Sequence, residues 1–143
     1  MNANAELLNF IYQNSQMGVD TLRQLIELTE DARLRKCLEG HLDRYEEFHR
    51  QARTMLQDNG FDEKGLNAFE KIRTYLMINV QTMKDHTASN IAGMLMNGSM
   101  MGVIDAVKRL HQYECGAEKD ILKLMKELQK FEESNIEELK EFL

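Results

Sequence analysis

The stretch Leu38–Leu56, LEGHLDRYEEFHRQARTML, places Leu38, Leu42, Tyr45, His49, Ala52 and Leu56 at alternating steps of four and three residues. Those steps keep one stripe of a helix facing one way, which is the seam of a helix packed against others. The same spacing extends outward from it. Upstream, Leu8, Ile11, Ser15, Gly18, Leu22 and Leu25 share one stripe, and downstream Ile121, Leu124, Leu128, Phe131, Ile136, Leu139 and Leu143 are assigned to the core. The chain of 143 residues contains no proline. Because proline costs about 3 kcal/mol inside a helix, its absence fits a chain that is helical almost throughout.

Caps and periods divide the sequence into five helices. The first runs from about Ala5 to Thr29 and breaks at Glu30-Asp31, where Asp31 caps a second helix reaching Asp58. Gly60 supplies a left-handed stop, and Asp62 starts a shorter segment, Glu63 to Lys84, that turns Phe69, Ile72, Leu76, Val80 and Met83 inward. Asp85, His86 and Thr87 interrupt the pattern before a fourth helix, Ala88 to Tyr113. Cys115-Gly116 then turns the chain into a fifth from about Ala117 to the end. Short turns after the first and fourth helices make two antiparallel hairpins, with the shorter third helix as the crossover between them. No repeat, linker or low-complexity tract divides the chain, so residues 1–143 read as one all-α domain.

Composition excludes several classes of function. The formal net charge is -6 and the basic residues are interleaved with acids, as in Arg33-Leu34-Arg35-Lys36 followed by Glu39 and Asp43. Nucleic acid is therefore not an expected partner, since phosphate binding calls for a basic face. The longest apolar run, Ile91 to Val107, is broken by Asn97, Gly98 and Ser99, so no membrane span is expected. The opening MNANAELLNF lacks the pattern of a signal peptide. With only Cys37 and Cys115, far apart in sequence, the chain reads as a soluble cytoplasmic protein with free thiols.

Two hairpins joined by a crossover, with Glu46-Glu47-Phe48-His49 on the second helix, is the plan of the ferritin-like carboxylate-bridged di-metal proteins. The opening hairpin, LLNFIYQNSQMGVDTL followed by LRKCLEGHLDRYEEFHRQA, also resembles an uncharacterised bacterial ferritin-like family. The resemblance implies a ferritin-like four-helix bundle. It also implies two metal ions, iron or manganese, held by a carboxylate on each of two helices and Glu-x-x-His on the other two. Only Glu46 and His49 carry over as metal ligands. Pairing the first hairpin about its turn sets Ser15 and Gln16 opposite Glu46, Tyr12 opposite His49 and Asp20 opposite His41. Gln129, Lys130, Asn135 and Ile136 stand where a second histidine would fall on the last helix.

Two functional readings follow. One is a structural or interaction protein with a degenerate metal site, in which His49 bonds Tyr12, Ser15 or Gln16 and fixes the hairpin register. The other is a metal-binding oxidoreductase or metal-storage protein using Glu46 and His49, with a further carboxylate from Asp20 or Glu132. Asp20 and His41 are expected to touch. His111 complements the dipole at the end of its helix, His86 has no role, and both cysteines read as inert or surface thiols. Met94, Met96, Met100 and Met101 are packing or interface residues rather than a Cu(I) site. Gly98, Gly102 and Ala106 form a small-residue ridge. It reads as a tight crossing against a neighbouring helix or a second subunit, and Gly98, Met101 and Gly102 are the preferred face for a homo-oligomer.

Overall fold

The computed structural model describes residues 2–63 and 70–143. Its α-helices are α1 (Ala3–Leu28), α2 (Ala32–Asp58), α3 (Glu70–Gln81), α4 (Ala88–Tyr113) and α5 (Lys119–Leu139), with single 3-10 turns at Glu114–Gly116 and Lys140–Phe142. Among the described residues there is no strand.

Local chemistry sets the helix ends. Asn2 accepts from the amide of Ala5, Asp31 from Leu34 and Thr87 from Asn90, satisfying amides that the first turn leaves free. At the end of α2, Gly60 takes φ +70°, and the amides of Phe61 and Gly60 return to the carbonyls of Leu56 and Gln57. That is the paired closure a left-handed glycine permits. The crossover helix ends at Gln81, before the expected Lys84. It buries Ile72 and Leu76 and leaves Val80 and Met83 half-buried. The expected core position Phe69, and the helical turn expected after Asp62 and Glu63, lie outside the described residues.

Helix directions can be read from cross-helix pairs. Tyr12 meets His49 while Arg23 meets Glu46, so α1 and α2 run antiparallel. Gly102 lies against Asn14 and Arg109 against Glu6, so α4 also opposes α1. Asn4 accepts from the amide of Glu118, and Asn14 donates to Glu132, so α5 runs with α1. The order is therefore up, down, down, up, and α3, packed on α4 and α1, belongs to the passage between the hairpins.

The core corrects the phase of α2. Its buried residues are Leu34, Leu38, His41, Tyr45, Phe48, Ala52 and Leu56, whereas Leu42 and His49, expected on the seam, are only half-buried. Phe131 from α5 fixes this rotation, its ring meeting His41, Tyr45 and Phe48 at centroid distances of 6.1, 4.9 and 5.4 Å. On α5 the inward stripe runs Ile121, Met125, Leu128, Glu132, Asn135 and Leu139. Leu143, expected inside, is 63% exposed.

Candidate functional site

Each of the four long helices sends polar groups to the middle of the bundle. Glu132 is 4% exposed, and its Oε1 accepts from Asn14 Nδ2 of α1 at 3.0 Å and from the Tyr45 hydroxyl of α2 at 2.7 Å. Ser99 of α4 and Asn135 of α5 place further hydrogen-bonding groups beside the Tyr45 hydroxyl. The other carboxyl oxygen, Oε2, is buried without a protein hydrogen bond, and so is Gln13 Oε1. Beside this layer lies a cavity of about 40 Å³, lined by Asn14, Tyr45, Ser99, Glu132 and Asn135 and covered in part by Leu76 of α3. It has room for a water-sized polar group.

Burial is the largest influence on acidity here. Removal from water raises the pKa of Glu132 above the ordinary carboxyl value, although the bonds from Tyr45 and Asn14 pull it back in part. The Tyr45 hydroxyl is pushed well above the usual phenol range by burial and by the neighbouring Glu132. Burial thus weighs against the charged form, and the hydrogen bonds donated to Oε1 weigh for it. The layer is a set of hydrogen-bond donors and acceptors around one carboxyl group.

Glu46 and His49 lie away from this centre. Glu46 Oε1 faces the guanidinium of Arg23 at 3.4 Å, with both side chains substantially exposed. His49 Nε2 meets Gln16 Oε1 at 2.9 Å, and its ring stacks on Tyr12 at 4.4 Å. The Tyr12 hydroxyl donates to Glu63, which also pairs with Arg53. Burial first, and then the positive charge of Arg53, lower the His49 pKa below the ordinary imidazole value. The neutral ring therefore donates Nε2–H to Gln16 and registers the hairpin.

The expected contact between Asp20 and His41 is not formed. Asp20 is exposed and accepts from Gln16 Nε2, while the buried His41 turns toward α5 and meets Glu138 Oε2 at 2.7 Å. Cys37, expected as an inert or surface thiol, is instead half-buried one turn before His41: its sulfur is 3.6 Å from His41 Nε2 and 3.8 Å from Glu138 Oε2. The signal is present in the sequence as Cys-x-x-x-His, a four-residue step on one helix face. Cys115 is exposed.

The glycine ridge of α4 faces inward. A Cβ on Gly98 would stand 3.0 Å from Leu76 of α3, and one on Gly102 would stand 3.3 Å from Asn14 of α1. Close helix crossings inside the chain thus occupy both glycines, and Met101 is half-buried. The exposed apolar residues of α4 are Met100 and Ile104. His111 lies in the last turn of α4.

Sequence reasoning missed Glu132 and Asn135 as members of the core seam, and Asn14 and Tyr45 as partners for Glu132. No described helix is long and apolar enough to cross a membrane. No protein-family model, curated protein or solved structure matches the chain.

Proposed function

We propose that the chain is a ferritin-like bundle in which a hydrogen-bonded layer stands where such bundles hold two metal ions, and that it serves as a structural or interaction protein. Two antiparallel pairs and the order up, down, down, up support the ferritin-like reading, because that order requires the long crossover of such bundles. The donor set around Glu132 is the observation that carries the functional reading. A carboxylate-bridged pair draws a carboxylate from each of two helices and Glu-x-x-His from each of the other two. The polar residues that meet here are Asn14, Thr21, His41, Tyr45, Ser99, Glu132 and Asn135: one acid, one imidazole, two amides and three hydroxyls. Asparagine follows Glu132 by three residues, where the histidine of Glu-x-x-His would stand. One acid is a poor match for two divalent ions, so this donor set does not fit the pair.

Elemental analysis of protein produced with excess iron and manganese tests the reading. Well under one ion per chain, with a melting temperature unmoved by Fe2+ or Mn2+, is the expected result, since only tight binding to the native state raises it appreciably. Two tightly held ions per chain, lost in Glu132→Gln or in Glu46→Ala and His49→Ala, would overturn it and promote the iron or manganese oxidoreductase reading.

Self-association belongs to the same proposal. Met77 and Ile78 on α3, with Met100 and Ile104 on α4, are four of the exposed large apolar residues, and the two helices pack together. Met100 and Ile104, one turn apart and both exposed on α4, replace the buried glycines as the proposed contact with a second copy. Light scattering on Ile104→Glu against the unaltered chain reads it directly, and a monomer in both cases removes it.

A further inference from the structure

We propose that Cys37, His41 and Glu138 form a mononuclear site for a zinc-class divalent ion, at the end of the bundle where α1 turns into α2. The site adjoins the mid-bundle layer through His41, which also lines its cavity, but it does not use Glu132. Cys37 and His41 are one turn apart on α2, and a four-residue step puts their side chains on one face. α5 opposes α2 and delivers Glu138 from its last turn. Sulfur, ring nitrogen and carboxylate oxygen then lie within 4.8 Å of one another.

The triangle is close to the one a metal requires. Tetrahedral zinc, with bonds of about 2.3 Å to sulfur and about 2.0–2.1 Å to nitrogen and oxygen, separates its donor atoms by roughly 3.3–3.6 Å. The edges here are 3.6 Å from Cys37 Sγ to His41 Nε2, 3.8 Å from Sγ to Glu138 Oε2 and 2.7 Å from Nε2 to Oε2. Two edges already agree within a few tenths of an ångström. The third is short because a hydrogen bond spans it, and it opens when the ion takes the place of the shared proton.

Thiolate, imidazole and carboxylate together suit borderline-soft Zn2+ and leave its fourth position to water. Binding releases the Cys37 thiol proton to solvent and moves the proton shared with Glu138 from Nε2 to Nδ1 of the His41 ring, freeing the Nε2 lone pair for the metal. Burial, then the Glu138 and Glu141 carboxylates, push the Cys37 thiol up to about 11. The same negative field that disfavours a bare thiolate attracts a divalent cation. Glu141, in the 3-10 turn that follows α5, adds its charge to the same field.

Cobalt(II) and zinc titrations of the purified chain test the assignment. One equivalent of Co2+ should give a tetrahedral spectrum with a thiolate-to-cobalt charge-transfer band, and Zn2+ should displace it and raise the melting temperature. Cys37→Ser and Glu138→Gln should lose the band while keeping the metal-free melt, whereas Cys115→Ser should keep it. In Cys115→Ser, zinc should also protect the remaining thiol from alkylation. A spectrum without the charge-transfer band, or one unchanged by Cys37→Ser, would overturn the site. Glu132→Gln should leave zinc binding intact, so failure here is separable from failure of the mid-bundle reading.

Discussion

Gly18 of α1 lies flat against the ring of Tyr45 of α2: a Cβ built on it would come within 2.6–2.8 Å of the ring atoms Cδ1, Cε1 and Cγ. The ring has little freedom to retreat, because its hydroxyl is held by Glu132 and its edge meets Phe131. Glycine at this position is what lets α1 and α2 close over the polar layer.

Gly18→Ala should therefore destabilise the chain by up to about 2 kcal/mol, an overpacking penalty of about 1–3 kcal/mol offset by about 1 kcal/mol of better helix propensity. Gly40, in the same hairpin, has nothing within 4 Å of a built Cβ, so Gly40→Ala should stabilise by about 0.5–1 kcal/mol. Urea denaturation of the two variants should show opposite signs. Destabilisation by both would mean that Gly40 is also a contact position.

Glu132 should leave a mark on stability as a function of pH. Its pKa is raised in the folded chain, so the folded state binds the proton more tightly than the unfolded state. Its contribution is fully present below the unfolded carboxyl value and declines as pH rises toward the folded value. Glu132→Gln keeps an oxygen acceptor for Tyr45 and Asn14 but cannot ionise, so its stability curve should lack that decline. Parallel curves for the two proteins across pH 4–8 would show that Glu132 does not titrate differently on folding.

His49 carries the opposite sign. Its imidazole is held below the ordinary value by burial and by Arg53, so the unfolded chain takes up a proton first as pH falls through the region just under 6.5. Stability should be lost across that window as the solution is acidified. An NMR titration of the ring should give a midpoint below 6.5, and Arg53→Gln should move it upward. A midpoint at or above 6.5 would contradict the half-buried placement against Tyr12.

Much of the fold is legible in the sequence because it rests on local chemistry. Asp31 and Gly60 announce the ends of α2, and four-and-three spacing marks five helices without reference to any partner. The rotation of α2 is not legible, since Leu42 and His41, or His49 and Phe48, serve equally well until Phe131 arrives from α5. Glu132 and Asn135 look like surface residues in a segment rich in glutamate and lysine. Only the inward stripe through Ile121, Met125, Leu128 and Leu139 places them inside, and the groups that make their burial tolerable come from α1, α2 and α4. Cys37 and His41 declare their shared face by spacing, but Glu138 joins them only through the docking of the two hairpins.

One oxygen, Glu132 Oε1, accepts from both α1 and α2 while belonging to α5. Before the hairpins meet, that carboxyl stands in water with its ordinary acidity; afterwards it is enclosed and favours its proton. Wherever the solution pH lies between those two values, folding takes up a proton, so the folded state is favoured less as hydronium becomes scarce. Folding of this chain is then partly an acid–base equilibrium, with its balance set by the buffer as well as by the packing.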